Sequence, residues 1–338
     1  MRALTLGGHG TIDSLRLVDD YARPEPSAGQ VLLRVTASSF NYHDIFTIRG
    51  MPGITIPFPI IIGLDVVGVV EELGAGVTGR RRGERVMVHP TDPLRGLIGE
   101  MYDGGMAQYA TVDAGLLIPL PDAVTDVQAA ALPIAYGTAH RMIVGKGAVH
   151  PGDKVLILGA SGGVGTASVL LAKRLGAHVV AAVGTEEKGK RMLEIGADEY
   201  VNYREHAFDR WVRERFGKPG RLRADGGVDV VVNFTGGDTW QPTLRCLKRG
   251  GRILTCGATA GFDPVEDLRY IWSFELQVIG SNGFATEDFT ALLDMVASGA
   301  MAPLIDDVLP LDRAAEGLRR VEDREVIGKI VIDPWAAS

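Results

Sequence analysis

The 338-residue chain has almost no cysteine: Cys246 and Cys256 are its whole complement. Both stand in apolar stretches, so a disulfide scaffold is excluded, and buried free thiols in a reducing cytoplasm are expected. An excess of basic charge is missing too, with 35 Lys and Arg against 42 Asp and Glu and a formal net charge of −7. Arg80-Arg81-Arg82 is the only basic triplet, which argues against a nucleic-acid-binding face. No apolar run reaches the length of a membrane-spanning helix, and Met1–Gly8 lacks a signal-peptide core. Neither a membrane nor a nucleic acid is an expected partner. Internal repeats and low-complexity tails are absent as well.

What the chain does have is length for two domains and one strongly patterned stretch. Lys154-Val-Leu-Ile-Leu-Gly-Ala-Ser-Gly-Gly-Val-Gly-Thr-Ala reads as a buried strand, a glycine-rich turn and a helix, followed by a second apolar strand, His178–Val183. That order is the first half of a dinucleotide-binding βαβ unit. Gly159 and Gly162 allow a sharp reversal. Gly162 and Gly163, with Ser161 and Val164 beside them, offer backbone N–H groups to a pyrophosphate at a helix N-terminus. Gly165 lets the helix start lie against the strand.

The residue ending the second strand discriminates between nicotinamide cofactors. An acid there bonds a ribose 2′-hydroxyl, whereas small residues and a cation accept a 2′-phosphate. Here Gly184 replaces the acid, Thr185 brings a hydroxyl and Lys188 a cation, which favours NADP(H). Thr185 is equally suited to cap the next helix, and Glu186 is the residue that could still turn toward a ribose.

Around this stretch the pattern changes twice. The first 120 residues are β-rich, with strands expected at Gln30–Ser38, Val66–Glu72 and Glu84–Val88, a short helix at Tyr42–Arg49 closed by Gly50, and a turn-rich segment from Met51. Thr125-Asp-Val-Gln128 has the form of a capping box, and Pro133 suits the first turn of a following helix. From Lys154 strands (155–158, 179–183, 200–201, 228–233, 252–256 and 276–279) alternate with helices, the signature of a parallel sheet covered on both faces. Two amphipathic helices, near 287–298 and 312–321, precede a last strand at 328–332.

From end to end the chain resembles the medium-chain dehydrogenase/reductase superfamily, in its zinc-free quinone oxidoreductase and enoyl reductase branch. The markers are Gly63-Leu-Asp-Val-Val-Gly68, Gly83-Glu-Arg-Val86, Gly105-Met-Ala-Gln-Tyr-Ala, Ala129-Ala-Ala-Leu-Pro133, Gly137-Thr-Ala, the glycine turn, Leu193-Glu-Ile-Gly-Ala-Asp198, Val201-Asn-Tyr203 and Gly328-Lys-Ile-Val. The resemblance implies an α/β protein in which a doubly wound parallel (Rossmann) nucleotide domain is inserted in a β-rich GroES-like catalytic domain. The expected divisions are 1–126 and 283–338 for the catalytic domain and 127–282 for the nucleotide domain.

The superfamily's zinc enzymes bind a catalytic metal through Cys, His-Glu and a later Cys or Asp. Here Asn41, Leu64-Asp65 and a position near Ile134 stand instead, and Val88–Gly105 holds no cysteine for a structural zinc. No zinc is expected; a site built from His43, Asp65 and His89 is the weighed alternative. Without a Lewis acid, hydride transfer to an activated C=C bond or a quinone is easier than reduction of an isolated carbonyl. The resemblance places Asn41 by the nicotinamide ribose, Thr138 beside the nicotinamide ring, Tyr203 near the adenosine phosphates, and Thr235-Gly236 and Gly257 in loops at the sheet's C-terminal edge. The branch's tyrosine before the proline of the following turn is absent, since Met51 precedes Pro52. Tyr42, His43, Tyr136, His140 or water then remain as proton donors, with Asn41 alongside them as a catalytic candidate.

An NADPH-dependent reductase of a small apolar, electrophilic alkene or quinone is therefore expected. Its substrate is expected in a cleft bordered by Met51, Ile54, Tyr136 and Ser281–Phe284. The alternatives are an alcohol or aldehyde dehydrogenase using NAD(P), and a nucleotide-binding protein with little turnover. A homodimer through nucleotide-domain edge strands is implied by the resemblance, with Leu276–Gly280 reading as the edge. Residues 92–104 have no account in the sequence.

Overall fold

The computed structural model describes residues 1–147, 149–222 and 225–337. They form two compact units, Met1–Ala135 with Phe289–Ser338, and Tyr136–Asp288. No helix among the described residues is long and apolar enough to cross a membrane.

In the first unit β1 (Ala3–Leu6) pairs antiparallel with β2 (Leu15–Val18) and with the two-residue β4 (Ile60–Ile61). A larger sheet follows the order β10 (Leu117–Pro119), β6 (Arg85–Val88), β5 (Asp65–Leu73), β3 (Gln30–Ser39), β18 (Lys329–Asp333), β17 (Ile305–Pro310), with β9 (Tyr109–Asp113) also on β3. Four of these strands, β3, β5, β6 and β18, lie where the sequence places them; β9, β10 and β17 were not expected, nor were β1, β2 and β4. Val31, Leu33, Val35, Val66, Val70, Val86 and Val112 fill one core cluster, the alternation of a half-buried antiparallel sheet. The short ribbon β7 (Thr91–Asp92) and β8 (Gly96–Leu97) opens the unexplained span. Helix α1 (Tyr42–Arg49) ends at Gly50, whose φ of 88° suits glycine.

Thr125 and Gln128 close a reciprocal capping box on α2 (Asp126–Ala130), with N···O distances of 3.2 and 3.0 Å. Beyond it the helical path is irregular. Wide π-helical turns at Leu132–Tyr136 and Arg141–Lys146 flank α3 (Gly137–His140). Pro133 therefore sits inside a wide turn instead of opening an α-helix, a place where the regular hydrogen-bond ladder is already interrupted.

The second unit is built on a six-stranded, wholly parallel sheet. In spatial order the strands are β13 (Glu199–Asn202), β12 (His178–Val183), β11 (Lys154–Leu158), β14 (Val228–Val232), β15 (Leu247–Thr255) and β16 (Gln277–Gly280). All five residues of β14 and the last four of β11 are buried, as strands covered on both faces require. The crossovers run through α4 (Gly163–Arg174), α5 (Glu186–Glu194), α6 (Phe208–Phe216), α7 (Trp240–Cys246) and α8 (Leu268–Ser273). Then α9 (Thr286–Ala297) leads the chain back to β17, α10 (Ala314–Glu322) and β18. Cys246 and Cys256 are free, the first buried and the second half-buried, and burial pushes the Cys256 thiol up to about 12.

The junctions fall after Ala135 and Asp288, not at 126/127 and 282/283. Ala130 O lies 2.8 Å from the Ser39 hydroxyl and the Ile134 N–H donates to Asp65, which ties 126–135 to the first unit. Asp288 holds His140 Nδ1 at 2.6 Å, which ties 283–288 to the second.

Candidate active site

In the first unit three distant parts of the chain meet in a buried polar knot. The Lys329 ammonium, at the start of β18, donates to Phe40 O at 2.6 Å, Asn41 Oδ1 at 2.6 Å and Asp65 Oδ2 at 3.1 Å. All three of its donors are thus used. Asn41 Nδ2 donates to Asp65 Oδ2 at 2.8 Å, so the amide's orientation is fixed from both ends. The Ser39 hydroxyl lies 2.6 Å from the same oxygen, and Asp65 Oδ1 accepts from the Ile134 N–H at 2.9 Å. Lys329 and Asp65 are both inaccessible to solvent, with 2% and 0% of their side chains exposed. Removing one partner of such a pair strands a buried charge and costs about 3–5 kcal/mol. Asn41 caps α1 with its backbone only; its own N–H donates to Asp44 Oδ2 at 2.8 Å. Burial raises the Asp44 carboxyl to about 7, with nearby Asp65 adding to the rise.

The proton-donor candidates differ in accessibility. Tyr136 is fully buried, and His140 is buried against Asp288. Tyr42 packs edge-on against Phe46 and borders the apolar core. His43 keeps 30% of its side chain exposed while its Nε2 lies 2.8 Å from Glu100 Oε1.

In the second unit the glycine turn follows β11, where the strand order reverses between β12 and β14, the usual crevice for a nucleotide. Gly159 has φ 64° and lies against Phe234 and Thr235. Gly162 is extended rather than left-handed (φ −80°), so the reversal belongs to Gly159 alone. A Cβ at Gly162 would meet nothing nearer than Gly159 O at 3.7 Å, whereas one at Gly165 would stand 2.3 Å from that oxygen. The first glycine leaves space; the second allows contact. No side chain caps the first turn of α4, and Ser161, Gly163 and Val164 are half-buried there. The turn therefore fits a pyrophosphate.

At the ends of the neighbouring strands stand Gly184, Thr185, Tyr203, Thr235 and Gly257, while Thr138 lies half-buried on α3. Thr185 Oγ1 caps α5, accepting from the Lys188 N–H at 3.3 Å. The Tyr200 hydroxyl donates to Glu186 Oε1 at 2.6 Å. A Cβ at Gly184 would stand 2.8 Å from the Tyr203 hydroxyl and 3.3 Å from Arg204 Nε. Arg204 is exposed and makes no ion pair among the described residues. It is a cation that the sequence reading missed.

The donor set in the first unit does not suit zinc. Leu64 is buried, Asp65 has both oxygens engaged, and an ammonium lies 3.1 Å from one of them. His89 bonds the backbone of Thr91, and burial lowers its imidazole. His43, Asp65 and His89 form no metal cluster among the described residues.

Two family models match: an alcohol dehydrogenase GroES-like domain over residues 27–122 and a zinc-binding dehydrogenase domain over 163–298. The second stretch contains none of the positions 41, 64, 65 and 134 compared with metal ligands. Quinone oxidoreductase of Mus musculus is 30% identical, over 94% of this chain and 92% of its own. The chain belongs to the medium-chain dehydrogenase/reductase superfamily, in its quinone oxidoreductase-like branch. Among solved structures, an NAD-dependent alcohol dehydrogenase superposes with a TM-score of 0.89 and 32% identity, covering 98% of this chain and 99% of that one. The 2-octenoyl-CoA carboxylase reductase CinF, solved with NADP and 2-octenoyl-CoA, matches with a TM-score of 0.85 and 28% identity, over 99% and 88%. Membership of this reductase branch accounts for the Gly63-Leu-Asp and Gly328-Lys-Ile-Val markers, whose Asp65 and Lys329 form the knot.

Proposed function

We propose that the protein is an NADPH-dependent reductase of activated alkenes (enals, enones or enoyl thioesters) or quinones, working without a metal. The observation that supports this reading is the Lys329–Asn41–Asp65 knot: an amide and an ammonium-paired carboxylate stand at two of the positions compared with metal ligands. A conjugated acceptor needs less polarisation than an isolated ketone, because hydrogen-bond donors alone can stabilise the developing enolate. The relatives named for quinones and for an enoyl thioester point the same way.

The bound cofactor supplies the hydride. The glycine turn and the start of α4 hold the pyrophosphate, and Thr185, Tyr203 and Arg204 hold a 2′-phosphate. The amide of Asn41, fixed by Lys329 and Asp65, retains one N–H for a substrate oxygen. His43 is the proton donor, since it alone among the four side-chain candidates combines exposure with a carboxylate partner. The same reading makes the protein cytoplasmic and dimeric through β16.

NADPH and NADH consumption against quinones, enals, enones and enoyl thioesters tests the proposal. NADPH is expected to be preferred, and Arg204→Ala is expected to lower its affinity about ten- to a hundredfold, the worth of one charge-assisted contact, while sparing NADH. No turnover with any acceptor, or full activity only with stoichiometric zinc, would sink it.

A further inference from the structure

Residues 92–104 occupy the span where zinc-binding relatives place a metal lobe, yet this stretch is ordered by other means. Asp92 Oδ1 accepts the Leu94 N–H, the Gly99 N–H donates to Tyr102 O, and Asp103 Oδ1 accepts the Ile61 N–H. Gly104, Gly105 and Met106 then donate in turn to Ile61, Gly63 and Ile62. Gly99 and Gly104 pack so closely on Gly63 that a Cβ on either would stand within 2.6 Å of its carbonyl oxygen. The segment is clamped onto the chain that carries Leu64 and Asp65.

Two carboxylates of this clamped loop are buried: Asp92, taken up by the Leu94 and Arg95 N–H groups of its own turn, and Glu100, with 4% of its side chain exposed. Its Oε1 meets His43 Nε2 at 2.8 Å and the Thr47 hydroxyl at 3.4 Å. Burying a carboxylate is costly unless a donor faces it, and here the donor is a half-exposed imidazole two residues from Asn41. A carboxylate only accepts, so Nε2 carries a proton and Nδ1 is the nitrogen left to exchange one.

We infer that Glu100 is the positioning residue for His43, making its Nδ1 the acid that completes the reduction. This rests on the proposed reaction. A bound nicotinamide cofactor would supply the hydride for the new C–H bond at the β-carbon, and the C=C pair would become an enolate. The Nδ1–H of the His43 imidazolium then breaks as a C–H bond forms at the α-carbon. The neutral ring keeps its Nε2–H on Glu100 and regains a proton from water. With a quinone, the proton goes to the oxyanion instead. The charged groups set against His43 are Glu100 from the loop and Asp44 from its own helix.

The test is the pH profile of kcat/KM for wild type, Glu100→Gln and His43→Gln with an enone and NADPH. Gln keeps the acceptor oxygen but removes the charge. The alkaline limb is expected to move to lower pH in Glu100→Gln, with the unfolding midpoint retained. In His43→Gln it is expected to vanish, with kcat about a hundredfold lower. A Glu100→Gln profile that superposes on wild type overturns the inference, as does a limb that persists in His43→Gln if the first variant does not fold. Should wild type reduce no acceptor, the functional reading fails separately. Glu100 is then judged by the NMR titration of the His43 ring, where an unmoved titration in Glu100→Gln overturns its positioning role.

Discussion

Asp44 is the most strained ionisable group of the site, fully buried, with Oδ2 on the Asn41 N–H and Oδ1 without a partner. Its folded value of about 7 lies above an unfolded aspartate's, about 3.9. The folded state therefore binds the proton more tightly. The stabilisation is complete below the unfolded value and is lost as pH rises through about 7, with a slope of at most about 1.4 kcal/mol per pH unit. Asp44→Asn keeps the acceptor for the Asn41 N–H and removes the titration. Relative to wild type it should gain up to about 2 kcal/mol in urea unfolding between pH 5.5 and 8; a constant difference would remove Asp44 as the cause. Two residues of the site were legible because their types are anomalous in their places: Asn41 and Asp65, where metal ligands stand in the superfamily's zinc enzymes. Lys329 was quoted in a motif without being given a role. Glu100 and Arg204 carried no such signal, since loop geometry alone turns them toward His43 and Gly184.

Among the elements, the turn from β11 into α4 separates two uses of glycine. A methyl at Gly165 would meet backbone atoms of Gly159 and Ala160 within 2.6 Å, and backbone cannot step aside. Gly165→Ala should cost about 1–3 kcal/mol of stability, read by thermal or urea unfolding. A methyl at Gly162 has room in the protein but intrudes where the pyrophosphate is proposed. Gly162→Ala should unfold like wild type and bind NADPH at least about tenfold more weakly in a fluorescence titration. Equal NADPH affinity in Gly162→Ala would remove that glycine from the phosphate site. The parallel sheet was readable because each strand is a buried apolar run bounded by helices, which periodicity detects. The first two strands and β17 were not, because short edge segments such as Leu15–Val18 and Ile305–Pro310 mix exposed and buried positions without clean alternation. The π-helical turns at 132–146 were equally hidden, since packing rather than composition sets them.

At the scale of the whole chain, the first unit exists only because both ends contribute to it: β18 pairs with β3 through Val331 and Ile332 opposite Ser39 and Ser38, and brings Lys329 to residues 41 and 65. Among the described residues the second unit's sheet ends at β13 on one side and β16 on the other, and the edges differ. On β13, Glu199 engages Arg215 and His178, the kind of charged edge that resists further pairing. On β16 the sequence Gln277-Val-Ile-Gly280 has no charge and no proline, and Val278 is 48% exposed. Phe262, Val265, Leu268 and Trp272, in the segment leading to this edge, are exposed as well. An uncharged edge strand of this kind is suited to a two-fold partner, in which each β16 extends the other's sheet. Val278→Lys would place two like charges across that axis without touching either unit's core. Sedimentation at micromolar concentration should give a dimer for wild type and a monomer for Val278→Lys, its dissociation constant at least about a hundredfold higher, as burying an unpaired charge implies. A wild type that sediments as a monomer, or a variant that stays dimeric, would move the interface away from β16.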